Sequence, residues 1–321
     1  MGKHVIIGAG GGIANSLQKA LLSAGHEVVL FSRRGAPADG CSTIKGSVLD
    51  AALVQAAMAG ADVAYLLVGF SYNIKVWERD WPQAMANCLQ GAEATGCALM
   101  FFDNVYAYGP VEGPMTEDTP YRPTSRKGKV RAQIAQAMQA RMASGSIRGM
   151  IVRAADFYGP GVDKVSFANT LVFERLRNRK APQALVSADE PHSYSFVPDM
   201  GPAMLLLAQT HSAWGQIWHL PTASPPLTTR AFAKLAGDVI GYQAAPSVLP
   251  RWMIRIVGYF VGFMAEVVEM LYQNDRPYHF SSEKFEAAFG MPPTAYEEGI
   301  RQTVIASGKS QEPAYSLKAY L

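Results

Sequence analysis

The stretch HVIIGAGGGIANSLQKALLSAGHEVVLFSRRG, residues 4–35, decides the fold. HVIIG (4–8) is the apolar, β-branched run of a buried strand. IANSLQKALLSAG (13–25) carries apolar residues at helical spacing and stops at Gly25, a residue suited to a left-handed helix end. EVVLFS (27–32) then reads as a second strand. Between the first strand and the helix, Gly8, Gly10, Gly11 and Gly12 permit a tight turn. They let backbone N–H groups, that of Ile13 included, approach a pyrophosphate at the positive end of the helix dipole. A glycine turn set between a strand and a helix, with a second strand following, predicts dinucleotide binding over a merely structural turn.

The alternation continues downstream. STIKG (42–46) reads as a short third strand, and DVAYLLVG (62–69) as a strand buried on both faces. A helical pattern over 78–96 leads to the strand ALMFFD (98–103), and another over 127–143 to the strand GMIVRAA (149–155). This spacing predicts an α/β fold, a Rossmann-type doubly wound parallel sheet. Beyond about residue 156 the pattern loosens into YGPGV, DEPHSYSFVPD and LPTASPPLTT, with helices expected at 228–238, 250–272 and 282–289. The expected division is a dinucleotide-binding domain over 1–160 and a smaller, mostly helical substrate lobe over 161–321, with segments returning to the sheet.

Bulk properties fit that reading. At 321 residues, 49% hydrophobic and 17% charged, the chain can build a large core. A net charge of +3 without a Lys/Arg run gives no argument for nucleic acid. Cys41, Cys88 and Cys97 have no metal-ligand spacing, so no metal is expected; they read as reduced, buried thiols of a cytoplasmic protein. MGKHVIIGAG enters the first strand with no basic and apolar leader, which adds to the cytoplasmic expectation. MIRIVGYFVGFMAEVVEMLY (253–272) is the one segment that looks like a membrane span, yet it contains Arg255, Glu266 and Glu269. Its uncharged stretch is about half of the roughly 20 residues a span needs. An amphipathic helix closing a pocket is expected there, and no membrane partner.

The end of the second strand chooses the dinucleotide. An Asp or Glu there would accept the adenosine ribose hydroxyls of NAD. This chain has Ser32, Arg33 and Arg34 instead. A small hydroxyl followed by guanidiniums suits a 2′-phosphate, so NADP(H) is expected over NAD(H). The alternative is that one of the two arginines is only a solvated loop residue.

Several collinear stretches carry a family resemblance. GAGGGIANSL (8–17) resembles G-A-x-G-x-I-G-x-x-L, with Ala14 in place of the last glycine, and GSVLD (46–50) resembles G-D-L-x-D, with Ser47 for the Asp. DNVYAYGPVEGPMTEDTPYRPTS (103–125) resembles S-S-x-x-V-Y-G followed by E-D-T-P. RAADFYGPG (153–161) resembles R-x-x-N-x-Y-G-P-G, and SFVPDMGPA (195–203) resembles F-V-H-V-D-D-x-A, with Asp199 on its first Asp. The chain is thus similar, over nearly its whole length, to the extended, epimerase/dehydratase-type branch of the short-chain dehydrogenase/reductases. The resemblance implies a nicotinamide-dependent oxidoreductase or epimerase with a small-molecule substrate. It puts Ser47 and Val48 at the adenine, lets Leu67, Val68 and Gly69 line the cofactor, and places Ala155 and Phe157 between cofactor and substrate.

The departures sit at the chemistry. The family uses a Tyr to move the proton at a carbonyl or alcohol, a Lys one helical turn later to hold the nicotinamide ribose, and a Ser or Thr to bond the substrate oxygen. Counting from the flanking motifs, SRKGKVRA (125–132) places Lys127 at the Tyr position and Arg131 at the Lys position, and Asn104 stands at the Ser/Thr position. Tyr121 lies six residues too early. Lys127 could relay a proton as an amine or polarise a carbonyl as an ammonium, and atypical relatives resembling the isoflavone-reductase group bring a precedent. It could equally be a solvated residue at a helix start, or hold cofactor with Arg131. Asn104 can donate to a substrate oxygen but cannot relay a proton. Tyr106 is a substitute phenol, whereas Tyr108 matches a packing tyrosine.

Trp77 and Trp81 are expected to roof the nicotinamide side. Met253, Tyr259, Phe260, Phe263 and Met264 form an aromatic stripe that is either core or pocket lining; if lining, the substrate is bulky and poorly charged. His192, His211 and His219 have no partner at a recognisable spacing and are expected to be structural or exposed. RAQIAQAMQARM (131–142) is apolar enough to permit a homodimer seam. Two readings follow. One is an NADP-dependent oxidoreductase or epimerase acting on an apolar carbonyl or enone. The other is a catalytically silent NADP(H)-binding sensor or scaffold.

Overall fold

In the structure, a computed structural model, residues 2–308 are described; of the lobe expected over 161–321, residues 309–321 lie outside them. Along the chain run β1 (Lys3–Ile7), α1 (Gly12–Ser23), β2 (Glu27–Ser32), β3 (Cys41–Lys45), α2 (Ala51–Met58), β4 (Val63–Leu66), α3 (Ile74–Thr95), β5 (Ala98–Asp103), α4 (Arg126–Ala143) and β6 (Gly149–Arg153). They are followed by β7 (Asp156–Tyr158), α5 (Glu174–Arg177), β8 (Gln183–Leu185), β9 (Pro191–His192), β10 (Tyr194–Phe196), α6 (Val197–Gln209) and β11 (Ile217–His219). The last group is β12 (Leu227–Thr228), α7 (Thr229–Ile240), β13 (Ser247–Leu249), α8 (Arg251–Gly258), α9 (Gly262–Val268), α10 (Glu283–Phe289) and α11 (Tyr296–Gly308).

Two compact units divide these elements. The first joins Met1–Ala107, Arg126–Ala154 and Pro198–Leu220; the second joins Tyr108–Ser125, Ala155–Val197 and Pro221–Leu321. In the first unit seven strands form one sheet in the order β11-β6-β5-β4-β1-β2-β3, every pair parallel. The chain winds one way from β1 to β3 and the other way from β4, so the switch point lies between β1 and β4. Val5, Ile6, Ile7 and all of β4 are buried, which is why these strands read as unbroken apolar runs.

Local signals set the helix ends. Gly25, at φ +77°, follows α1, and the Asp50 side chain caps α2 by accepting the Leu53 N–H at 3.1 Å. Asn73 caps α3 through the N–H groups of Lys75 and Val76, which starts this helix four residues before the expected 78. In α4, Val130, Ala132, Ile134, Ala135 and Met138 are buried within the unit, whereas Ala137 and Ala140 are exposed. Ion pairs Glu78–Arg126 (2.6 Å) and Glu93–Arg141 tie α3 to α4.

The second unit has short pairs, β7 with β10, β8 with β13 and β9 with β12. Its core gathers Tyr158, Phe173, Phe196, Phe232 and Tyr296. Gly299 lets α11 approach Tyr158, since a Cβ there would stand 2.2 Å from the phenol oxygen. Buried Asn169 clamps Gly159 on both backbone groups, donating to its carbonyl at 2.9 Å and accepting its N–H at 3.2 Å. The helix expected through 253–272 is corrected: it breaks at Tyr259–Val261 into α8 and α9. Gly258 permits the reversal, because a Cβ there would lie 3.1 Å from Ala265 Cα. Tyr259 is 88% and Phe260 85% exposed, so these two members of the stripe line no closed pocket.

Candidate active site

The cofactor end is built from backbone. Gly8 has φ +102°, and a Cβ there would stand 2.6 Å from Val68 N and 2.7 Å from Leu67 C. Only glycine meets both the dihedral and the close approach of the two neighbouring strand ends. Gly10 (φ +101°) and Gly11 face open space, where a Cβ would meet nothing within 4 Å. Gly11 is the N-cap of α1 and brings no side chain to it, so the first N–H groups of the helix, at Gly12, Ile13 and Ala14, have no helical acceptor. An open cradle with unused donors at a sheet's switch point fits a dinucleotide pyrophosphate.

Ser32 closes β2, its Oγ accepting the Gly35 N–H at 3.2 Å. Arg33 and Arg34 follow, both exposed and without an ion pair among the described residues. Ser47 Oγ accepts the Leu49 N–H at 3.2 Å, and the carbonyl of buried Val48 accepts from Asn87 at 2.9 Å. Leu67 and Val68 are half-buried and Gly69 exposed beyond β4. Ala155 and Phe157 belong to the second unit, where the Ala155 N–H reaches Ser195 Oγ at 3.0 Å and the Phe157 carbonyl accepts from Ser166 at 2.6 Å.

The residues expected at the proton-transfer end are built from buried charge. Lys127 has no exposed surface, and its Nζ lies 4.6 Å from the centre of the Tyr72 ring. It is therefore not a solvated helix-start residue. Arg131 is committed elsewhere: its Nε donates to Asp103 Oδ1 at 2.7 Å, and its Nη2 lies 2.5 Å from the same oxygen. Arg153 Nε and Nη2 donate to Asp103 Oδ2, each at 3.1 Å. Beneath this pairing, the Arg131 guanidinium stacks 4.1 Å from the centre of Trp81 and 5.0 Å from that of Phe101. Burial pulls the Arg131 pKa below its ordinary value; the Asp103 charge and hydrogen bonds oppose this, and Arg153 adds to it. Arg131, expected at the site with Lys127, thus has its guanidinium paired with the carboxylate that ends β5.

Asn104 donates its backbone N–H to Asp103 Oδ1 at 2.8 Å and accepts the Tyr106 N–H on its own Oδ1 at 3.0 Å. Its amide oxygen thus shapes the turn, leaving the amide N–H groups for a ligand. Tyr106 stacks on Trp77 (6.1 Å, 18°), and its hydroxyl lies 3.4 Å from that of Tyr72. Tyr108 is buried beside Tyr121. Trp77 is buried with its Nε1 donating to the Ser71 carbonyl at 3.0 Å, and Trp81 is buried against the Arg131 guanidinium. His192 has a partner after all, Asp156 at 2.9 Å, and stacks on Tyr278 (4.2 Å, 8°), whereas His211 is exposed and His219 buried.

Asp103, Arg153 and Tyr72 escaped sequence reasoning. A signal for the first two was present: each is the charged last residue of an apolar strand, and adjacent parallel strands pair them directly, Asp103 with Arg153. Tyr72 had none, lying in a loop with no periodicity. Among the described residues no group of His, Cys, Asp or Glu could hold a metal ion, and no helix is long and apolar enough to cross a membrane.

Comparison with known proteins agrees with this fold. A UDP-glucose 4-epimerase from Thermotoga maritima, solved with UDP-glucose, superposes with a TM-score of 0.80 at 17% identity, covering 97% of this chain and 100% of that one. A dTDP-glucose 4,6-dehydratase from Bacillus anthracis str. Ames, solved with NAD, gives 0.79 at 15% identity over 97% and 98%. A UDP-glucose 4-epimerase from Thermus thermophilus, also solved with NAD, gives 0.75 at 18% over 96% and 99%. At these identities the likeness establishes the fold. In sequence, the uncharacterized protein y4nL of Sinorhizobium fredii (strain NBRC 101917 / NGR234) is 25% identical over 242 residues, 73% of this chain but only 65% of that protein's length. The family model for NAD dependent epimerase/dehydratases matches residues 4–220, a span that runs from β1, through the glycine turn and the α4 cluster, to the end of the sheet. The chain belongs to the NAD-dependent epimerase/dehydratase family.

Proposed function

We propose that this protein is an NADP-dependent oxidoreductase or epimerase-like enzyme acting on a small, rather apolar carbonyl or enone. Residues 1–160 hold the dinucleotide and 161–321 receive the substrate. The carrying observation is the open cradle at Gly10, Gly11 and the uncapped start of α1, followed by two exposed, unpaired guanidiniums at Arg33 and Arg34. The turn takes the pyrophosphate, Arg33 and Arg34 a 2′-phosphate, Ser47 and Val48 the adenine, and Leu67, Val68 and Gly69 the nicotinamide half. A bound nicotinamide supplies hydride chemistry.

Lys127 stands in the place of the family's tyrosine and acts as a buried ammonium that polarises the substrate oxygen, with Asn104 donating to the same oxygen. Arg131 holds α4 to the end of β5 through Asp103. Support for an apolar substrate comes from the aromatic wall of Phe70, Tyr72, Trp77 and Tyr106, since Tyr259 and Phe260 are exposed.

Fluorescence titration with NADPH and NADH tests the cofactor reading: NADPH is expected to bind more tightly, and a preference for NADH overturns it. Stereospecific loss of deuteride from labelled NADPH to a carbonyl substrate is expected of the enzyme. Binding without any transfer across a broad carbonyl panel would instead mark a silent nucleotide sensor. With a substrate in hand, Lys127→Ala is expected to lose most turnover, and full turnover would remove Lys127 from the reaction.

A further inference from the structure

We propose that the hydroxyls of Tyr106 and Tyr72 form the proton-transfer unit of this site, Tyr106 exchanging the proton with the substrate oxygen and Tyr72 relaying it to solvent. This rests on the hydride-transfer reading above and adds the acid/base that Lys127, as a fixed charge, leaves unassigned.

The pairing follows from the sheet. β4 and β5 are parallel neighbours, so the loops leaving their carboxyl ends run side by side, and each contributes one phenol. The two oxygens stand 3.4 Å apart. That is long for a hydrogen bond, as proton-transfer contacts commonly are before substrate tightens them. One side chain holds both rings: Trp77 stacks on Tyr106 and meets Tyr72 edge-on (5.6 Å, 84°), while its own Nε1 is tied to Ser71, next to Tyr72 in the chain. The Asn104 side chain holds the backbone of Tyr106. Both tyrosines are half-buried, packed enough to be held and open enough to exchange protons.

The net charge around them is positive. From α4, Lys127 lies over the face of Tyr72, and Arg131 is close enough to interact electrostatically with Tyr106. β5 contributes Asp103 and β6 contributes Arg153, and these three buried members of the cluster, Asp103, Arg131 and Arg153, sum to one positive charge. On α3, Glu78 is spent on Arg126 in an exposed pair. A net positive surround favours a phenol's anion, the form that must exist between taking and giving a proton.

During reduction of a carbonyl, the O–H bond of Tyr106 breaks as a new O–H bond forms on the substrate oxygen. The Tyr72 proton moves to Tyr106, and a solvent proton replaces it. One proton is consumed per carbonyl, and the reverse direction releases one.

Ultraviolet titration of phenolates in the ligand-free protein tests this without a substrate. The wild type is expected to show one phenolate forming ahead of the other tyrosines. Tyr106→Phe, which keeps the stacked ring, should abolish it, and Lys127→Met should delay it. Once a substrate is known, Tyr106→Phe is expected to lower kcat by about 10²–10⁴-fold. Tyr72→Phe should lower kcat to a smaller extent and move the basic limb of the pH profile, leaving NADPH affinity unchanged. The double variant should be no slower than Tyr106→Phe alone. An early phenolate absent from the wild type, or surviving in Tyr106→Phe, overturns the proposal, as does wild-type kcat in both single variants. An early phenolate in a protein that binds no NADPH would support the pair while removing the hydride reading.

Discussion

The turn after β1 exposes backbone, whereas the first turns of α4 bury charge. At Gly10–Gly12 the chain carries no side chain, and the first N–H groups of α1 are left without a helical acceptor. At Lys127–Arg131 it takes two cations out of water and must compensate for them: one lies over an aromatic face, and the other pairs with a carboxylate that a second arginine shares. The first arrangement needs only local sequence, because a tight turn, a helix start and an open face are properties of consecutive residues. The second depends on three strands and two helices meeting.

The contrast can be broken most severely at Asp103. Asp103→Asn keeps the shape but leaves two buried guanidiniums without an anion, and breaking such a pair costs about 3–5 kcal/mol. A urea midpoint should fall accordingly, and an unchanged midpoint would mean that the α4 cluster is not the charge-balanced unit described. A smaller effect, confined to binding, is expected at the other region. Arg33→Ala with Arg34→Ala should remove charge-assisted hydrogen bonds worth about 1.5–3 kcal/mol each, weakening NADPH by at least ~10-fold while NADH and thermal stability stay constant. Equal loss of both dinucleotides would show that the arginines do not read a 2′-phosphate.

The smallest effect lies at the opposite end of the first unit's strands. Burial, aided by His26 and opposed by Asp62, lowers the His4 pKa to about 4 from an ordinary 6.5. The unfolded chain therefore takes up this proton first as pH falls. The contribution is complete above about pH 6.5 and is lost progressively towards pH 4. His4→Asn should flatten the slope of stability against pH in that window, and an unchanged slope would assign it to other groups.

How far the sequence could be read follows the same division. The glycine turn, the strands β1 to β6 and the register that puts Lys127 and Arg131 on α4 were legible because periodicity and turn residues are local. The break between α8 and α9 was not, since the uninterrupted apolar pattern hides that Gly258 lets Ala265 approach. Nor was the task of Arg131, because its partner Asp103 lies 28 residues away and meets it only when β5 packs under α4.

By itself, then, the sequence determined a doubly wound parallel sheet with a glycine turn after its first strand, and it put Lys127 and Arg131 on one helix. Tertiary structure alone decided which altered residue is held by a carboxylate, which lies over a ring, and that Tyr72 meets Tyr106. A buried charge or phenol acquires its chemistry from neighbours distant in the chain, whose identities no local pattern encodes.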